Sequence, residues 1–143
     1  MLLNHRSGLP QYAYFTDKET VWDKKETLRN KDIIPLLVKH KIPLEAKPNT
    51  KFSYCNTNYA LLALVIEKVT KKSYAENLKI RIADKLGLKN TYYTSEKTDV
   101  TKRESYSYTF NGEYWDKIDE WNNDIAFSSG GIISTPEDLT LFN

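Results

Sequence analysis

The sequence holds one cysteine, which excludes an internal disulfide framework and a cysteine metal cluster, and fits a reducing compartment or a disulfide-free secreted enzyme equally well. It holds two histidines, His5 and His40, too isolated from each other to make a metal site. No segment approaches the roughly 20 apolar residues of a membrane span. The opening MLLNHRSGLPQY contains no apolar stretch long enough for a signal peptide. An excess of one charge is missing too: 21 basic against 19 acidic residues leave +2, spread along the chain, so neither nucleic acid nor a membrane surface is implied as partner. Repeats and low-complexity segments are absent. Gly130-Gly131 lacks the lysine and helix start of a phosphate loop, and no cofactor is implied.

What is present suits one domain of 143 residues, able to bury roughly 70% of the surface its unfolded chain exposes. The pattern predicts a mostly helical chain with a small β-hairpin. A short helix is expected over 33–40, with Asp32 as cap and Pro35 in its first turn. Pro48-Asn49 marks a turn in which asparagine takes a positive φ. From Thr57 to Thr70, the residues Tyr59, Leu61, Leu62, Leu64, Val65, Ile66 and Val69 cover nearly the whole circumference, predicting burial on all sides over the first three turns, with Glu67 and Lys68 suggesting a wet end. Ser73-Tyr74-Ala75-Glu76 is a capping box, and Tyr74, Leu78, Ile82 and Leu86 follow at intervals of four before Gly87 closes the helix. Thr91–Thr94 reads as a strand, and residues 106–115 as a hairpin with Asn111-Gly112 as a two-residue loop. Ser134-Thr135-Pro136-Glu137-Asp138 is a helix start.

Directly ahead of the apolar helix stands Tyr54-Cys55-Asn56. Residues two apart on an extended segment leave the same side of the backbone, so a rigid helix behind them would fix the aim of a phenol and a carboxamide. By itself Y-x-N is weak. The plain reading is that Asn56 or Thr57 caps the helix and Tyr54 packs.

Three phrases change that weighing: LLNHRSGLP at 2–10, KFSYCNTNYALLALVIEKVTKKSY at 51–74 with LGLKNT at 86–91, and SSGGIISTPEDLTLF at 128–142. In order and spacing they resemble the serine β-lactamase-related family, which groups class C β-lactamases, D-Ala-D-Ala carboxypeptidases and related esterases. The resemblance implies the helical subdomain of an α/β fold of the serine β-lactamase and DD-peptidase type. It also implies acid/base work for Tyr54 toward a serine nucleophile, and a hold on the substrate's amide for Asn56. Cys55 stands where the family usually has serine or alanine, and its small side chain fits. Family members are commonly exported, which implies a periplasmic or surface-anchored parent.

The family's other active-site elements are S-x-x-K, ahead of the LLNHRSG phrase, and a K-T-G or H-x-G strand near the C-terminus. No serine here has lysine three residues on; Thr94-Ser95-Glu96-Lys97 begins with threonine, and Lys97-Thr98-Asp99 lacks glycine. Residues 1–143 are therefore expected to be a fragment of such a domain, inert alone. A phenol titrates near 10, so basic action at neutral pH needs a shift of about three units from a nearby cation, ~4 kcal/mol. Exposed fragment faces predict self-association. The alternatives are a binding module that keeps the fold without the nucleophile and a complete helical interaction protein.

Other candidates have plainer readings. Cys55 with His5 or His40 as thiol and base has no support in spacing; a lone cysteine beside a buried helix is a small core residue. His5 is expected to hydrogen-bond structurally, and His40 to sit favourably at a helix C-terminus. Of the aromatic residues, Trp115 and Trp121 are the ones placed to line a binding surface, the rest filling core and hairpin.

Overall fold

The computed structural model describes residues 1–12, 30–39, 41–94, 99–102, 104–118 and 127–143. His40 and Trp121 lie outside the described residues. A 3-10 turn over Asn30–Asp32 leads into α1 (Ile33–Lys39), with Pro35 in the first turn as expected. The chain then turns at Asn49, whose φ of 65° is a left-handed value that asparagine tolerates. It arrives at α2 (Asn56–Thr70), the central element.

Burial on α2 is not what its apolar content predicts. Thr57, Asn58, Ala60 and Ala63 are the buried residues, while Tyr59, Val65 and Ile66, within the first three turns, are exposed, Val65 to 51%; Val69 lies in the wet end and is exposed as well. The described residues pack on one side of the helix, against Phe127–Ser129, the Asn30–Asp32 turn and the helix next in the chain. Small side chains on that side let backbones come close, and the polar ones find hydrogen bonds there; the bulky apolar residues point elsewhere.

Lys71, in the left-handed conformation at φ 58°, ends α2 with its N–H on the Glu67 carbonyl. The capping box then starts α3 (Tyr74–Leu78): the Ser73 hydroxyl accepts from the Glu76 amide at 3.1 Å, and the Glu76 carboxylate accepts from the Ser73 amide at 2.7 Å. The buried Asn77 holds the α2–α3 corner. Its Nδ2 donates to Thr70 Oγ1 and to the carbonyls of Lys72 and Ser73, and its Oδ1 accepts from Arg81 Nε. A π-helical turn over Lys79–Ala83 joins α3 to α4 (Asp84–Leu86), and Gly87 closes at φ 69°. The extra residue in that wide turn shifts the helix face, so Ala83 is buried and Ile82 and Leu86 are exposed, against the expected stripe of four.

The strands are short. β1 (Tyr92–Tyr93) precedes the hairpin of β2 (Tyr108–Phe110) and β3 (Trp115–Lys117). In the hairpin Phe110 faces Trp115, so the loop is four residues rather than two. Asn111 sets that length, because its carboxamide oxygen accepts from the amides of Glu113 and Tyr114, both at 3.0 Å. β4 (Ile132–Ile133) runs antiparallel to β1, with Tyr92 opposite Ile133 and Tyr93 opposite Ile132. Among the described residues two small sheets thus stand beside the helices, and one of them is a hairpin.

α5 (Pro136–Phe142) begins as expected, with Thr135 capping the Asp138 amide and proline in the first turn. Asp138, only 3% exposed, looks back across the fold. Its carboxylate accepts from the amides of Lys89 and Asn90 and from the Thr91 hydroxyl, which also pairs with Ser134 at 2.9 Å. One side chain thereby fastens the loop after α4 to α5.

Burial pushes the Asp138 carboxyl up, but the hydrogen bonds from Thr91, Asn90 and Lys89 outweigh it and hold the group below the usual carboxylate range. A group lowered in the folded state contributes stability that is complete above its unfolded pKa of about 4 and is lost as acid protonates the folded form. Asp138→Asn should therefore lower the melting temperature by several degrees at neutral pH, and the gap to the wild type should shrink below pH ~4. Melts monitored by circular dichroism at both acidities check this; an equal gap at both would contradict it.

Candidate active site

The segment 5–12 lies as a strap across the first turn of α2. Thr57, fully buried, donates to the Pro10 carbonyl at 2.7 Å and accepts the Tyr12 amide at 3.0 Å. Asn58, also fully buried, accepts the Ser7 hydroxyl on Oδ1 at 2.5 Å, and its Nδ2 lies 3.4 Å from His5 Nδ1. Further out the strap is tied to the preceding loop: the Glu45, Asn49 and Ser53 amides donate to the carbonyls of Gly8, Arg6 and His5. Gly8 is required at that crossing. Its φ is +74°, and a Cβ there would meet the Ala46 carbonyl oxygen at 2.0 Å.

This strap fixes Tyr54-Cys55-Asn56. Cys55 is extended at φ −154° and ψ 117°, and it stands at the N-cap position without a side-chain cap. Neither Asn56 nor Thr57 serves as the cap that the plain reading assigns. The orphan amides at this end are met by the strap instead: Cys55 N–H donates to His5 Nδ1 at 3.1 Å, and Asn56 N–H to Gln11 Oε1 at 3.0 Å. The Cys55 thiol, buried to 1%, points inward to the Pro10 carbonyl at 3.3 Å. It is a core residue and no exposed nucleophile.

The flanking residues turn the other way. Tyr54 is 62% exposed and Asn56 half-buried. Among the described residues neither the Tyr54 hydroxyl nor the Asn56 carboxamide is engaged in a hydrogen bond. A phenol and a carboxamide with free polar ends thus stand on a backbone held at two consecutive amides. Such a pair can exchange a proton with one group of a ligand and hold another.

His5 makes hydrogen bonds to the backbone, as expected of a structural residue. Tyr12, Gln11, Ser7 and Asn58 were not singled out from sequence, and no spacing rule couples Ser7 to Asn58 across 51 residues. Tyr12 is a second phenol near the site, 2.9 Å from Ser129 Oγ. Burial pushes it up to about 12, so it stays protonated near neutrality and makes a poor base. A hollow of about 660 Å³ lies elsewhere, lined by Ala75, Glu76, Leu88, Thr91 and Tyr92 among others, and neither Tyr54 nor Asn56 borders it. No group of metal-binding side chains occurs among the described residues, and no described helix is long and apolar enough to cross a membrane.

Comparison with known proteins places these features in context. The family described as Beta-lactamase matches residues 1–142. Penicillin-binding protein 4* of Bacillus subtilis (strain 168) is 33% identical over 111 residues, which are 76% of this chain and 24% of that protein. Teichoic acid D-alanine hydrolase of Staphylococcus aureus (strain MRSA252) is 30% identical over 138 residues, 96% of this chain and 32% of that protein. The chain thus spans no more than about a third of the curated relatives it matches. Among solved structures, D-amino acid amidase from Ochrobactrum anthropi SV3 superposes with a TM-score of 0.78 at 31% identity, covering 99% of this chain and 39% of that one.

The hydrogen-bonded seam makes Asn58 more important to stability than the large apolar residues of the same helix. Asn58→Ala leaves the Ser7 hydroxyl without its buried acceptor and should cost ~1–3 kcal/mol. Val69→Ala, at an exposed position, should stay within about 0.5 kcal/mol. Urea unfolding of both variants checks the order, and a reversed ranking would contradict it.

Proposed function

The chain belongs to the β-lactamase family, and from that premise we propose that residues 1–143 form part of the cleft of a serine hydrolase whose nucleophile and lysine lie outside them. Tyr54 is the acid/base and Asn56 the hold on the substrate's amide. The reading is supported above all by one observation: two polar side chains left unengaged, on a backbone pinned at successive amides by the strap.

The reaction is acyl transfer. With Tyr54 ionised beside the lysine of the full domain, a serine hydroxyl adds to the substrate carbonyl while its proton passes to the Tyr54 phenolate oxygen, and the neutral phenol then gives that proton to the departing nitrogen or oxygen as the old bond breaks. Water repeats the sequence on the acyl-serine and releases the acid. Asn56, donating through Nδ2 or accepting through Oδ1, orients the amide beside the scissile bond. Residues 1–143 contain no S-x-x-K, so by themselves they do not form the acyl-enzyme. Two of the relatives are named for D-alanine and D-amino acid amide substrates, which favours D-aminoacyl amides or esters here, with β-lactams as the alternative.

Exposed apolar residues on three helices, among them Val38, Val69, Leu139 and Phe142, fit faces that the rest of such a domain would cover. Prepared alone, residues 1–143 should self-associate; sedimentation showing one monomeric species at every concentration would contradict this. The catalytic reading is tested on the full-length protein. A fluorescent penicillin, or a D-alanyl ester monitored by mass spectrometry, should acylate one serine, and Tyr54→Phe should slow that step by at least ~100-fold. A full-length sequence without the serine and lysine pair would overturn the hydrolase in favour of a binding module. Acylation at the wild-type rate in Tyr54→Phe would remove the role given to the phenol.

A further inference from the structure

His5 touches two of the three residues Tyr54-Cys55-Asn56, the Tyr54 ring and the Cys55 amide. Its ring lies 4.5 Å from the Tyr54 ring at an interplanar angle of 35°, and 5.1 Å from that of Tyr59 at 30°. Phe52 meets it edge-on at 6.0 Å. Among the described residues, His5 is the one ring in contact with Tyr54, whose phenol is otherwise largely exposed.

The imidazole is itself fixed. Its residue takes a left-handed φ of 52°, closed by a hydrogen bond from its amide to the Leu2 carbonyl and by the Ser53 amide on its own carbonyl. Two donors converge on Nδ1: the Cys55 amide at 3.1 Å and Asn58 Nδ2 at 3.4 Å. Asn58 faces that way because its Oδ1 is taken by the Ser7 hydroxyl. Nδ1 therefore carries the lone pair, and the ring hydrogen of the neutral imidazole sits on Nε2. Tyr59 is anchored as well, its hydroxyl donating to the Leu3 carbonyl at 3.2 Å.

We propose that His5 is a positioning residue for Tyr54: its ring, tilted against the phenol, sets the plane of that ring, and its Nδ1 fixes the Cys55 amide that follows Tyr54 in the chain, while the Asn56 amide is held separately by Gln11. This rests on the reading of Tyr54 as acid/base, and it assigns His5 no proton transfer of its own. Catalytic groups misplaced by about 1 Å lose on the order of 100-fold in rate, so a phenol whose one ring contact among the described residues is His5 is sensitive to that ring.

The test uses the full-length protein with two substitutions that separate the contacts. His5→Phe keeps a ring against Tyr54 and removes the acceptor; His5→Asn keeps an acceptor and removes the ring. Each should slow acylation about 10- to 100-fold while leaving the pre-acylation binding constant near the wild-type value. Combined with Tyr54→Phe, neither should slow the reaction further, since His5 acts through that phenol. Fluorotyrosine labelling supplies a readout independent of activity: the Tyr54 fluorine resonance, assigned by its loss in Tyr54→Phe, should shift in His5→Asn while the melting temperature stays near that of His5→Phe. Losses that multiply with Tyr54→Phe, or an unmoved Tyr54 resonance, would overturn the positioning role. If Tyr54→Phe itself acylates at full rate, the acid/base reading fails, and the fluorine shift still decides whether His5 orients the ring.

Discussion

The structure depends on a polar seam between a strap near the N-terminus and the first turn of a helix some fifty positions later. Thr57 and Asn58 are buried because Pro10, Tyr12, Ser7 and His5 supply partners for every polar atom they carry inside. Among the described residues no buried side-chain nitrogen or oxygen lacks a partner. In a low-dielectric setting such bonds are directional and each is costly to break, so they select one register of strap on helix where apolar contact would allow sliding. The outward aim of Tyr54 and Asn56 is a result of that register.

Local signals were legible in the sequence, and long-range ones were not. Ser73 and Glu76, three residues apart, satisfy each other and start α3 where the capping pattern places it, and Thr135-Pro136 does the same for α5. Asn49 takes the positive φ its turn asks for. Apolar periodicity misled on α2, because it reports which residues would gain from burial and says nothing of whether neighbours exist on each side. Val65 and Val69 lack such neighbours among the described residues, while Asn58 has them. The π turn in 79–83 has no side-chain signature, and the hairpin loop grew because the Asn111 carboxamide competes for two amides. For the candidate site, the resemblance carried by three separated phrases, more than the Y-x-N spacing, singled out Tyr54 and Asn56; the strap that orients them became visible only in three dimensions.

A second fastening works at the opposite end with different chemistry. Around Asp138, one carboxylate gathers two amides and a hydroxyl, tying the loop before β1 to the helix after β4, and so closing the Tyr92–Ile133 end of the short β1–β4 ladder. A two-stranded pair with two residues in each strand has little cohesion of its own. The charge-assisted bonds beside it compensate. Among the described residues, directional bonds thus hold the scaffold at the strap, at the Asn77 corner and around Asp138.

The burial of the one thiol under the strap also turns it into a native clock. Its thiol faces the Pro10 carbonyl and is shut from water, so a cysteine-specific alkylating reagent reaches it only when residues 5–12 lift from the helix. The rate of that alkylation, compared with the rate in urea, counts how often the strap peels away. It reads the breathing of this one region without any label being introduced.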